Sequence, residues 1–273
     1  MKRRYFFLLV MSVSFGLYAE SIQNVPFKQV LSAEHTPPTQ TLLYGDSDQN
    51  IIEMWLPPTP SSATVVFIHG GCWMSEYDFG HARAAASALS VQGYRVFSVE
   101  YRRTGATGGG WPTTMQDIDA AMTFLQDQGH INAKHSIIAG HSAGGHLALL
   151  YAQRNPERIA GVVGLAPITD LERYAEGESG CQRAAVAFMQ GTPAEQKKAY
   201  LQADPKNYPL HPNTWLLFGK SDKIVGAQQQ QTFSSSAKAQ VVSVDGAGHF
   251  DFIFPGSQAW FHLSEVLDKV NNP

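Results

Sequence analysis

Ser142, Asp222 and His249 are the residues through which this chain could do chemistry, by their types and their order along the sequence. A serine hydroxyl is a weak nucleophile until a neighbouring base takes its proton, and a third group must hold that base in one tautomer. Ser142 stands in Gly140-His141-Ser142-Ala143-Gly144, after the apolar run Ser136-Ile137-Ile138-Ala139 and before His146-Leu147-Ala148-Leu149-Leu150. A Gly-x-Ser-x-Gly between a strand and a helix is a sharp turn that lifts the hydroxyl out of the backbone. Side chains in place of the glycines would strike that strand and helix. The bland alternative for Ser142 is a helix N-cap.

The partners of such a serine follow it as an acid after a late strand and a histidine after the last strand. Trp215-Leu216-Leu217-Phe218 reads as the late strand, and Gly219-Lys220-Ser221-Asp222 puts Asp222 in the loop leaving it. Gln240-Val241-Val242-Ser243-Val244 reads as the last strand, followed by Gly246-Ala247-Gly248-His249. Asp170 and Asp245 are the rival acids, one after an earlier strand and the other too close to His249. His141, His146, His211 and His262 are expected to pack or cap. The tetrahedral intermediate needs backbone donors aimed at its oxyanion. One should be the amide of Ala143. The other should be that of Gly71 or Cys72, in the stretch His69-Gly70-Gly71-Cys72-Trp73, where His69 is expected to anchor the loop.

The elements that must position these groups alternate between short apolar runs and helical patterns from Ile51 onward, which predicts an α/β fold with a mostly parallel sheet covered on both faces. Strands are expected at Ile51 to Leu56, Thr64 to Ile68, Arg95 to Val99, the elbow strand, Ile159 to Leu165, and the two runs before Asp222 and His249. Helices are expected at Ala82 to Val91, Thr113 to Gln128, from the elbow to about Arg154, and Ser257 to Val270. Strand C-terminal ends are where ligands bind in open α/β sheets, so the three side chains should converge there. Residues 171–212 interrupt the rhythm and predict a small, mostly helical cap over the site; a surface excursion with its own core is the alternative. Residues 20–40 lack periodicity and carry Pro26, Pro37 and Pro38, which suggests a wrap without a core element. Residues 104–112 read as a flexible loop near the site rim, with Trp111 either closing over substrate or plugging the core.

A basic start, Lys2-Arg3-Arg4, an apolar run over Tyr5 to Val13 and Leu17-Tyr18-Ala19 together resemble a signal peptide over residues 1–19, with a mature domain at 20–273. The run is too short for a membrane span. Export would place the protein in a bacterial periplasm or outside the cell, where Cys72 and Cys181 could form a disulfide; two unpaired, buried thiols are the alternative. At 273 residues, 44% hydrophobic and 16% charged, the chain has the composition of a globular domain. A net charge of −3 gives no nucleic-acid surface. No Cys/His cluster has zinc spacing, so neither a metal nor an organic cofactor is implied.

His69-Gly70-Gly71-Cys72-Trp73, Glu100-Tyr101-Arg102, Gly140-His141-Ser142-Ala143-Gly144-Gly145-His146, Asp222 and His249 together resemble the α/β-hydrolase superfamily, in its esterase/arylformamidase branch of kynurenine formamidase-like and feruloyl-esterase-like enzymes. The resemblance covers about Ile51 to Val270. It implies Ser142 as nucleophile, Asp222 as acid, His249 as base, and Gly71, Cys72 and Ala143 as oxyanion hole. The chain departs from the hormone-sensitive-lipase pattern: Cys72-Trp73 follows the two glycines, and His141 stands where an acidic residue is usual. The expected activity is hydrolysis of a small carboxylic ester through an acyl-enzyme. The rivals are an arylformamidase, other amidase or peptidase using the same residues, a binding module without turnover, and a membrane-active lipase.

Overall fold

The computed structural model describes residues 22–61, 63–105, 108–233 and 239–271, so the leader expected at 1–19 lies outside the described residues. Eight strands among these form one sheet: β1 (Gln40–Leu43), β2 (Ile51–Trp55), β3 (Thr64–Ile68), β4 (Arg95–Val99), β5 (Ser136–His141), β6 (Gly161–Leu165), β7 (Thr214–Gly219) and β8 (Ala239–Val244). Their spatial order is β1-β2-β4-β3-β5-β6-β7-β8. The pairs β1–β2 and β2–β4 are antiparallel, and every later pair is parallel.

The central strands are near-continuous apolar runs because both faces are covered. Along β3, Val66 and Ile68 join one core with residues of α3 (Thr113–Asp127) and α4 (Ala143–Arg154). Val65 and Phe67 join the other, with α2 (Arg83–Val91) and the helix Gln258–Asn271. The helical spacing of Met115, Ile118, Met122 and Leu125 buries all four. No helix among the described residues is long and apolar enough to cross a membrane.

Two stretches depart from the sequence expectations. The described part of the 20–40 stretch, residues 22–40, does contribute to the core: Val25 and Val30 are buried, and Phe27–Leu31 forms a short helix, α1. The pattern was too brief for periodicity to register, with one buried residue in α1. The edge strand β1 was also not expected, because its four residues are largely exposed and carry no alternation. Trp111 plugs the core: it is buried edge-on to Phe188, with the Arg154 guanidinium over its ring.

Between β6 and β7 lie α5 (Leu171–Ala175), α6 (Gly180–Phe188) and α7 (Lys197–Ala203). A capping box at Ser179 and Gln182 starts α6. The buried side chains Tyr174, Phe188, Met189 and Tyr200 belong to the α3–α4 core, so this segment has no core of its own. Phe188 stacks on Trp73 at 4.9 Å, and a disulfide joins Cys72 to Cys181 with Cα atoms 5.2 Å apart. The cross-link spans 109 residues of sequence and ties α6 to the loop after β3. Such a bridge stabilises mainly by restricting the unfolded chain. Cys72→Ser with Cys181→Ser is therefore expected to lower stability by about 2–5 kcal/mol, read as a lower denaturant midpoint than the parent protein.

Candidate active site

The elbow follows from what its glycines leave room for. A Cβ on Gly140 would lie 2.2 Å from the Gly144 carbonyl oxygen, and one on Gly144 would lie 2.2 Å from that of Ile68. The turn from β5 into α4 is thus packed against the end of β3, where Ile68 pairs with Gly140. Ser142 sits in this turn at φ 55° and ψ −118°, a conformation that L residues rarely adopt. Its amide donates to the Leu165 carbonyl at 2.8 Å and its carbonyl accepts from His146. Its side chain makes no capping hydrogen bond to α4, which disposes of the N-cap alternative. The hydroxyl is left to the cavity.

Asp222 and His249 are brought together by the neighbouring loops after β7 and β8. The Ser221 amide donates to the Ala247 carbonyl at 3.0 Å. A Cβ on Gly219 would lie 2.3 Å from that same carbonyl oxygen, so the approach needs glycine. His249 Nδ1 lies 2.7 Å from Asp222 Oδ2. A carboxylate oxygen accepts, so Nδ1 carries the hydrogen and Nε2 is left as the basic nitrogen. Asp222 Oδ1 accepts from the amides of Ile224 and Val225 at 2.7 and 2.9 Å, which locks the carboxylate. Neither rival acid reaches His249: Asp170 caps α5 and pairs with Lys206, and the exposed Asp245 pairs with Lys220.

Ser142 and His249 line one cavity of about 290 Å³, together with Gly71, Cys72, His141, Cys181, Ile224 and a set of aromatic rings. No hydrogen bond joins the Ser142 hydroxyl to His249 here; catalytic hydrogen bonds commonly tighten only when substrate binds. The His141 side chain nevertheless ties the two loops. His141 Nε2 lies 2.9 Å from the His249 carbonyl oxygen, and the two rings are 4.6 Å apart. The carbonyl can only accept, so Nε2 of His141 bears the hydrogen. Burial first, and His249 next, hold the His141 pKa well below its ordinary value, so this ring stays neutral. His141 therefore packs as expected, but it does so inside the site.

The loop after β3 closes the other side. A Cβ on Gly70 would fall 3.2 Å from Ser142 Cβ, and Gly71 and Cys72 follow at φ +98° and +53°. Ala143 is the first residue of α4, so its amide has no acceptor within the helix. His69 anchors the loop: Nδ1 meets the Gly70 carbonyl at 2.8 Å and Nε2 meets Glu100 at 2.9 Å. Burial acts to raise the Glu100 pKa, but His69, Arg103 and the Phe79 amide outweigh it and leave the carboxyl below its usual range. Tyr101 stacks on His69 at 4.3 Å and donates to its carbonyl.

His146, His211 and His262 lie away from the cavity, whereas His81 lines it. His146 meets the Ala203 carbonyl, His211 meets that of Pro156, and His262 pairs with Glu265 on the surface. Tyr77, His81, Ile224 and Phe250 line the cavity without having been singled out in sequence. Two further contributors to the site were also missed in sequence. Asp251 is fully buried, and its carboxylate accepts from the amides of Asn24, Val25 and Gly248. Phe27 lines the cavity. The only available signal was a lone acid two residues beyond His249, in the apolar stretch Phe250-Asp251-Phe252-Ile253-Phe254.

Comparison with known proteins agrees with this fold. The chain is 26% identical to the esterase LipC of Mycobacterium tuberculosis over 245 residues, covering 78% of this chain and 60% of that protein. It is 30% identical to a versiconal hemiacetal acetate esterase of Aspergillus parasiticus, over 49% of this chain and 44% of that one. The chain thus spans less than two thirds of the length of either relative. Its structure resembles that of esterase B from Lactobacillus rhamnosis, with a TM-score of 0.71 at 19% identity and 90% of each chain covered. A truncated carbohydrate esterase from gut microbiota has the same TM-score at 18% identity, over 88% of this chain and 99% of that one. The family model BD-FAE matches residues 52–236. The chain has the α/β-hydrolase fold and belongs to the BD-FAE family.

Proposed function

We propose that this protein is a serine hydrolase that cleaves small carboxylic esters through an acyl-enzyme. The observation that carries the reading is the 2.7 Å contact of His249 with Asp222 on the wall of the cavity that also holds Ser142. The similarity to esterases supports the choice of ester over amide.

In this mechanism His249 Nε2 takes the Ser142 proton as Oγ attacks the ester carbonyl carbon. The carbonyl oxygen becomes an oxyanion, met by the amides of Ala143 and of Gly71 or Cys72. Asp222 keeps the imidazolium oriented without taking its proton. Collapse breaks the bond to the alcohol oxygen, which leaves with the proton from Nε2. A water molecule then repeats the sequence on the acyl-enzyme, releasing the acid and restoring the serine.

Export is a further part of the proposal, supported by the basic-apolar-small pattern over residues 1–19 and by the Cys72–Cys181 disulfide, which suits an oxidising compartment.

With p-nitrophenyl butyrate as substrate, Ser142→Ala is expected to lower kcat by roughly a millionfold and Asp222→Ala by roughly ten-thousandfold. Gly71→Val should cost about a hundredfold or more by displacing the oxyanion donors. Its Cβ would sit 2.4 Å from Tyr77 Cβ. Turnover that survives Ser142→Ala overturns the mechanism, and faster cleavage of N-formylkynurenine or aminoacyl amides than of any ester replaces esterase by amidase. Expressed in a bacterium with its leader, the protein should be recovered from the periplasm or medium with Glu20 at its N-terminus. Recovery from the cytoplasm with residues 1–19 retained contradicts export.

A further inference from the structure

The cavity beside Ser142 is closed by a piece of chain far from it in sequence. Residues 22–31 cross the mouth of the β8 loop as a strap. Ile22 bridges to Ser257, and the amides of Asn24 and Val25 donate to Asp251 Oδ2 and Oδ1 at 2.7 and 2.6 Å. The same carboxylate accepts from the Gly248 amide at 3.0 Å, one residue before His249. One buried acid thus fastens two segments, the strap and the loop that carries His249. A Cβ on Gly248 would lie 2.5 Å from Asn24 Oδ1 and 3.1 Å from Asn24 Cα, so the two segments are closely packed.

The strap delivers Phe27 to the cavity. Its ring lies 5.2 Å from Phe250, 5.6 Å from Tyr77 and 5.6 Å from His81, with the last two edge-on. Phe250 in turn lies 5.0 Å from the His249 ring, so a continuous aromatic wall runs from the strap to the site. Among the groups lining this wall, His81 has its pKa pulled down to about 3, by burial first and then by His69. This wall thus presents rings and no charge to a substrate at neutral pH.

We propose that Phe27 is a specificity-determining residue, an end wall that restricts the catalytic cavity to esters with a compact, uncharged apolar arm, and that Asp251 is the positioning residue that holds it there. This rests on the esterase reading above. Removing the ring opens space in which additional methylenes can be buried, and each buried methylene favours binding several-fold. Releasing the latch lets the strap withdraw and has the same effect on specificity by a different route.

The test measures kcat/KM for p-nitrophenyl acyl esters from acetate to octanoate, and for butyrate esters of alcohols from methanol to hexanol. In Phe27→Ala the ratio of the long to the short substrate should rise about tenfold or more in one of the two series, and the series that responds identifies the acyl or the alcohol arm. Leu31→Ala is the control, an exposed residue of the same short helix that does not line the cavity, and it should leave both ratios unchanged. Asp251→Asn should shift the same ratio in the same direction and speed hydrogen exchange of residues 22–31. If Asp251→Asn fails to fold, Phe27→Ala alone decides. A Phe27→Ala protein that melts like the parent and keeps both ratios overturns the proposal, as does an equal shift in Leu31→Ala. A parent protein that cleaves none of these esters refutes the esterase reading instead, so the two failures are distinguishable.

Discussion

The hydrogen bond from His249 to Asp222 is the constraint on which the site depends. It fixes which imidazole nitrogen carries the proton and where the other points, and it exists only because β7 and β8 are adjacent parallel strands whose loops leave the sheet side by side. The two loops are joined by backbone, Ser221 to Ala247, and their closeness requires Gly219 to have no side chain. Asp222 is in turn held by two amides of its own loop, so it is oriented before any substrate arrives. A preorganised acid of this kind avoids the cost of reorienting dipoles when charge develops on the imidazole.

The proposed nucleophile is positioned by a different means. Ser142 has a backbone conformation that costs about 1–3 kcal/mol for an ordinary residue. The surrounding contacts hold it there: Gly140 and Gly144 admit the close approach of β5, α4 and β3, and the Ser142 amide is bonded to Leu165 on the next strand. His141 then connects the elbow to the carbonyl of His249. The loop of Gly71 and Cys72 is held on one side by the buried His69–Glu100 pair and on the other by the disulfide to α6. The candidate nucleophile, the candidate base and the Gly71–Cys72 loop come from separate segments: the His141 side chain ties the first two, and the disulfide and the His69–Glu100 pair hold the third.

Much of this was legible because the sheet is regular. Apolar runs such as Thr64–Ile68 and Thr214–Gly219 are strands buried on both faces, and their order places the loops after them at one edge. Asp222 could be chosen over Asp170 and Asp245 from chain order alone, and the contact with His249 is made by Asp222. The strap at 22–31 was not legible, because a short helix with a single buried side chain has no period, and its hold comes from a carboxylate more than two hundred residues away. The pairing of Cys72 with Cys181 was equally closed to sequence, since it depends on where the segment between β6 and β7 folds back. Trp111 was ambiguous for a related reason: Phe188, the ring it packs against, belongs to that same segment.

A crystal structure of the protein inactivated by an alkyl phosphonate ester examines the whole arrangement at once, because the adduct imitates the tetrahedral intermediate. The phosphorus should be bonded to Ser142 Oγ, with one oxygen about 3 Å from the Ala143 amide and from that of Gly71 or Cys72, and His249 Nε2 within hydrogen-bond reach of Oγ or the remaining ester oxygen. An adduct on another residue, or one whose oxygen points away from those amides, contradicts the account.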